Sequence, residues 1–290
     1  MLQSPLTVPG TPAPIAHYEN FPVASILCPP HLRPPIAAIY HFARTADDIA
    51  DEGDLTATER LAQLRAYRQA LDVLYAATSD TVEPAWPHVF GPLRHAIATH
   101  QLPHSLLQDL LDAFVQDVEM TRDAATYADE AQLMNYCRRS ANPVGRLLLH
   151  LYGVKDPQAL LESDAICTSL QLINFWQDLS RDIPNGRYYL TDADRAQFGV
   201  SQADILAQKQ TTSATELIAA CAHSARSTML KGVPLVHRLP GRAGWELRLV
   251  VQGGLRILDK IESLDFATLR TRPKLRWWDY SVMVWRAVWM

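Results

Sequence analysis

The chain has 290 residues, 48% of them hydrophobic and 20% charged, so it can bury a sizeable core and is neither disordered nor supercharged. Its 27 Lys and Arg stand against 31 Asp and Glu, a net charge of −4, which gives no support to a nucleic-acid partner. Only 12 residues are glycine, and the many Ala, Leu, Gln and Arg predict helices rather than a turn-rich β fold.

Residues 1–16 hold Pro5, Pro9, Pro12 and Pro14 and read as a flexible, extended lead-in. They lack the basic and apolar regions of a secretory signal. A second cluster, Pro29, Pro30, Pro34 and Pro35, opens a predicted helix over 35–51 with Ile36, Ile39, Tyr40, Ala43, Ala46 and Ala50 at helical spacing. A helix over 57–77 carries Leu61, Leu64, Tyr67, Leu71 and Leu74 on one stripe. Further helices are predicted at 87–100, 103–121 and 129–152, the last bent near Pro143. A long helix follows over 157–183, with Asp156 as N-cap and Pro157 at its first position. Ser201-Gln-Ala-Asp204 and Ser213-Ala-Thr-Glu216 read as helix starts, the second as a capping box. Helices over 213–231 and 243–263 complete the set.

No strand alternation or solenoid repeat appears, so the expectation is one all-α domain over 17–270 followed by a Trp/Arg-rich tail over 271–290. No apolar run is long enough for a transmembrane helix. Cys28, Cys137, Cys167 and Cys221 form no C-x-x-C pair, which points to reduced thiols and a cytoplasmic setting.

Two segments carry the chemistry. One runs Tyr40-His-Phe-Ala-Arg44-Thr-Ala-Asp47-Asp48-Ile-Ala-Asp51, the other Gln171-Leu-Ile-Asn174-Phe-Trp-Gln-Asp178-Leu-Ser-Arg-Asp182. At ~100° per helical residue, Tyr40, Arg44, Asp47 and Asp51 share about 60° of arc, and Gln171, Asn174, Asp178 and Asp182 about 80°. Each helix therefore presents a narrow polar stripe, set among apolar residues, with two carboxylates four residues apart. Such carboxylates repel each other and call for a compensating cation. Mg²⁺ suits them, because it takes carboxylate oxygens and completes its shell with substrate phosphate. On the residues alone, two solvated helix faces remain the alternative.

The chain resembles the squalene/phytoene synthase family of class I isoprenoid enzymes from about His17 to Leu264. The resemblance rests on the two aspartate segments, on Gly186-Arg187-Tyr188-Tyr189, and on Tyr136-Cys137-Arg138-Arg139-Ser-Ala-Asn142-Pro143-Val-Gly145. It implies an all-α prenyl-synthase fold whose central cavity lies between the two aspartate-bearing helices. It also implies two or three Mg²⁺ ions held by Asp47, Asp51, Asp178 and Asp182, with Asp48 as a ligand or an acceptor behind one. Arg44 and Arg187 would pair with phosphate oxygens. Tyr40, Tyr136 and Tyr189 would offer a hydroxyl or a ring face, with plain core packing as the alternative. Gln171 and Asn174 would hold water or diphosphate, or else bond helix to helix, and Phe175 and Trp176 would wall the cavity.

Gln177 and Arg181 stand where coupling members commonly carry Arg and Glu. With Arg138-Arg139 and Asn142-Pro143, this is similar to the hydroxysqualene-forming branch of bacterial hopanoid pathways. The implied activity is Mg²⁺-dependent conversion of presqualene diphosphate and water to hydroxysqualene and diphosphate, without NADPH. A presqualene diphosphate synthase would then be a functional partner. The alternatives are a coupling prenyltransferase and a non-catalytic helical interaction protein. Four of the seven tryptophans lie in the last fourteen residues, a composition that fits either peripheral contact with the inner face of a membrane or a closing helix packed on the domain.

Overall fold

The computed structural model describes residues 28–76, 86–239 and 241–290. The lead-in predicted over 1–16 lies outside them, as does the last residue predicted for the second helix. Thirteen helices are described: α1 (Arg33–Asp51), α2 (Ala57–Ala76), α3 (Pro87–His100), α4 (His104–Arg122), α5 (Glu130–Ser140), α6 (Asn142–Leu151), α7 (Pro157–Asp182), α8 (Asp192–Phe198), α9 (Gln202–Leu206), α10 (Thr212–Gly232), α11 (Leu235–Arg238), α12 (Gly241–Ser263) and α13 (Trp277–Val288). Among the described residues there is no β-strand, and no helix is long and apolar enough to cross a membrane.

Local chemistry sets most boundaries. Asp156 accepts a hydrogen bond from the Gln158 amide, and Pro157 sits at the first position of α7, where its missing N–H costs nothing. Ser201 caps α9 by accepting from the Asp204 amide. The predicted capping box at Ser213 is corrected: Thr211 caps α10 instead, accepting from the Ala214 amide, and the helix starts at Thr212. The bend predicted near Pro143 is a full break at Ala141, with Pro143 in the first turn of α6. The sequence reading did not separate α8 and α11 as helices, and it gave α13 only as one of two readings of the tail. None of the α8 residues is buried, so it has no apolar stripe to betray it.

Two cores form. In one, Phe42 of α1, Tyr67 of α2 and Phe90 of α3 are fully buried and pack ring against ring, and the Tyr67 hydroxyl donates to the Phe42 carbonyl at 3.1 Å. The other surrounds α7, which packs on α10, α6, α12, α5 and α11. Ser169 of α7 donates to the Ala225 carbonyl of α10 at 2.7 Å. Close approach of α6 to α7 requires a glycine: a Cβ on Gly145 would lie 2.4 Å from Ser163 Oγ and 2.6 Å from Cys167 Sγ.

Residues 271–290 belong to this folded body. The Gln177 amide donates to the Pro273 carbonyl at 2.8 Å, and α13 lies on α12. Asp279 is fully buried between Arg256 (2.7 Å) and Lys260 (2.8 Å).

Candidate active site

A cavity of about 840 Å³ opens between α1 and α7, with α4, α5, α6, α11 and α12 completing its walls. Along both main walls the lining changes from apolar to acidic in chain direction. Ile36, Ile39 and Ala43 precede Asp47 and Asp51 on α1, and Ile166 and Cys167 precede Asp178 and Asp182 on α7. The acidic ends meet, because Arg187, just past α7, donates to Asp51 at the end of α1 (2.8 Å). Both pairs of carboxylates thus occupy C-terminal turns, where the helix dipole is negative and an anion is least welcome.

The electrostatics reflect this crowding. Burial, then Asp51, pushes the Asp47 carboxyl up to about 6. Burial, then Asp178, pushes Asp182 up to about 7. Guanidinium groups offset part of the charge. Arg44 reaches Asp47 at 3.1 Å and Asp48 at 2.8 Å, Arg187 takes Asp51, and Arg272 holds Asp178 through both carboxylate oxygens. No three His, Cys, Asp or Glu side chains among the described residues converge tightly enough to hold a metal by themselves. An all-oxygen donor set on two facing walls, with unrelieved repulsion, fits hard cations that share their coordination with a phosphate ligand.

Tyr40, Arg44, Asp47, Asp51, Tyr136, Gln171, Asn174, Phe175, Asp178, Asp182, Arg187 and Tyr189 all line this cavity. Two predicted residues do not. Trp176 is buried in the core behind it. It lies about 100° around α7 from Phe175, so Phe175 faces the cavity and Trp176 faces away. Asp48 sits at the rim of the α1 stripe and turns to Arg44. Tyr189 stacks on Phe175, with centroids 3.7 Å apart and planes at 11°.

Asp117 and Arg272 are among the lining residues that the sequence reading did not single out. Asp117 of α4 accepts from the Tyr136 hydroxyl at 2.7 Å, and burial raises its carboxyl to about 7. Its signal was present: four residues after Ala113, it falls on the apolar stripe of α4. Arg272 lies in the irregular link between α12 and α13, where no periodicity marks a cavity residue.

The family model described as Squalene/phytoene synthase matches residues 15–279. The chain belongs to the squalene/phytoene synthase family. It is 33% identical over 258 residues to a hydroxysqualene synthase of Rhodopseudomonas palustris, covering 88% of this chain and 84% of that protein. A hydroxysqualene synthase of Zymomonas mobilis is 41% identical over 167 residues, a match that spans 57% of this chain and only 51% of that protein. A presqualene diphosphate synthase of Rhodopseudomonas palustris is 26% identical, covering 93% of this chain and 95% of that protein. The crystal structure of squalene synthase HpnC from Alicyclobacillus acidocaldarius superposes with a TM-score of 0.77 at 36% identity, over 87% of this chain and 90% of that one. The fold is the all-α fold of these synthases.

Proposed function

We propose that this enzyme converts presqualene diphosphate and water to hydroxysqualene and diphosphate in a Mg²⁺-dependent reaction. The observation that carries the reading is the pair of carboxylate stripes closing one end of an otherwise largely apolar cavity. Its choice among family activities is supported by the hydroxysqualene synthase relatives at 33% and 41% identity.

Asp47, Asp51, Asp178 and Asp182 would hold the cations, which supply Lewis-acid stabilisation of the departing diphosphate. Arg44, Arg187 and Arg272, now bound to those carboxylates, are placed to turn their planar forks to phosphate oxygens once the carboxylates are otherwise engaged. The C–O bond then breaks with its electron pair leaving on diphosphate oxygen. Tyr40, Phe175 and Tyr189 line the cavity, and aromatic rings beside the rearranging carbocation stabilise its positive charge. Gln171 and Asn174 lie on the same stripe as Asp178 and hold the water whose oxygen forms the new C–O bond. That water releases one proton, so substrate and water balance hydroxysqualene, diphosphate and H⁺. No hydride donor is consumed, and the substrate must come from an enzyme that joins two prenyl diphosphates.

The test is incubation with presqualene diphosphate and, separately, farnesyl diphosphate, with products identified by mass spectrometry. Hydroxysqualene from the first alone supports the reading. A C30 product from farnesyl diphosphate would transfer the chain to the coupling enzymes, whose relatives it also resembles.

A further inference from the structure

The outer face of α13 has no counterpart in the catalytic site. Asp279, Met283 and Ala287 point inward and are buried. Trp277, Trp278, Tyr280, Val284, Trp285 and Trp289 are exposed, three of the indoles by 65% or more. At ~100° per residue these six cover about half the helix circumference, opposite the buried set. That face carries no charge. Monomeric proteins rarely leave so large a contiguous aromatic surface bare.

Charge surrounds it on one side. Arg270, Lys274 and Arg276 are exposed just ahead of the helix, and from residue 266 to the chain end the one acidic side chain is the buried Asp279. The chain as a whole is at −4, so this basic edge runs against the overall balance. The face also continues onto α12. Arg248 donates to the Ala287 carbonyl (3.2 Å) and lies over the ring of Trp245, itself 43% exposed. Trp245 neighbours Ala243, Glu246 and Leu247 of the cavity lining, and Glu246 acts on Cys28, whose carbonyl accepts from Arg33 at the start of α1, the end opposite Asp47 and Asp51.

We infer that α13 and Trp245 form a docking surface for a bilayer containing anionic lipid, and that it sets the apolar end of the cavity against the membrane. Tryptophan and tyrosine rings favour the headgroup region, and a basic edge adds attraction to an anionic leaflet. A symmetric pairing of two copies through this face fits less well, since it brings both basic edges into one interface. The inference does not depend on which reaction the cavity performs.

Vesicle flotation of the full chain tests it, using phosphatidylcholine with or without phosphatidylglycerol. The expected result is binding to the anionic vesicles, weakened by salt, with a blue shift of tryptophan emission. Trp285→Ala with Trp289→Ala should lower binding at least about tenfold, since each removes apolar area from the contact. Both rings are exposed, so the melting temperature should hold. Lys274→Glu should weaken binding to anionic vesicles. Wild-type protein that neither floats nor shifts its emission at low salt would overturn the inference. So would a solution dimer that the double variant converts to monomer, which would assign the face to a second copy.

Discussion

Asp178 is held by Arg272, Asp51 by Arg187 and Asp47 by Arg44. Asp47, Asp51 and Asp178 therefore each have a guanidinium partner in this structure, whereas burial and the neighbouring Asp178 push the Asp182 carboxyl up. Substituting Asp47→Asn or Asp178→Asn should lower turnover by about 10²–10³-fold, the size of effect seen when one stabilising group for developing negative charge is removed. Asp47→Asn should leave the melting temperature unchanged or raise it, because the ionised carboxyl is disfavoured in the fold. Near-normal turnover of either variant at saturating Mg²⁺ would remove these residues from the ligand set. The same carboxyls give a pH signature without substrate. Asp47, Asp117 and Asp182 have folded values of about 6, 7 and 7, above the usual ~4 of an unfolded Asp. The folded state then binds more protons than the unfolded one between about pH 4 and 7, so stability falls as pH rises through that window. Melting in chelator should therefore be highest toward pH 5, and added Mg²⁺ should restore stability near pH 7. A melting temperature that climbs from pH 5 to 7 in chelator would contradict this.

At the scale of elements, the α6–α7 crossing and the α12–α13 pair show where helices are locked. Gly145→Ala must displace both Ser163 and Cys167, so it should destabilise by about 1–3 kcal/mol and reduce turnover by disturbing the cavity wall. Unchanged stability by denaturant titration would mean the crossing yields easily. Asp279 is buried between two cations, which hold its carboxyl down at about 2. Its contribution is present above the unfolded value near 4 and is lost as pH falls toward 2. Asp279→Asn should cost about 2–3 kcal/mol at neutral pH, less than a fully buried pair because Arg256 and Lys260 keep some solvent contact. That loss should vanish near pH 2. A variant as stable as wild type at pH 7 would show that α13 is not held by this carboxyl.

Much of the molecule was legible in its sequence, for definite reasons. Helices α1 and α7 carry a polar stripe on an apolar helix, and period 3.6 alone aligned Asp47 with Asp51 and Asp178 with Asp182. That same period, applied one step further, separates Phe175 in the cavity from Trp176 behind it. Apart from Asp117, most of what stayed hidden had no local signature. Arg272 reaches Asp178 across 94 positions from a segment with no regular structure. Thr211 caps α10 and Ser213 falls inside its first turn, because two neighbouring cap-competent side chains leave the start of a helix open by a residue or two in the sequence. In α13 the aromatic residues stood out, but their division into buried and exposed sides required the carboxylate–cation contact beneath them.

The proposed reaction is ionisation of presqualene diphosphate in this cavity, with water taking the cation. It is tested most directly by a single-turnover reaction with presqualene diphosphate and Mg²⁺ in H₂¹⁸O, without NADPH, followed by mass spectrometry of the product. Hydroxysqualene carrying ¹⁸O in its hydroxyl, formed with release of one diphosphate and abolished by chelator, is the predicted result. An unlabelled hydroxyl, no release of diphosphate, or squalene appearing only when NADPH is supplied would contradict it.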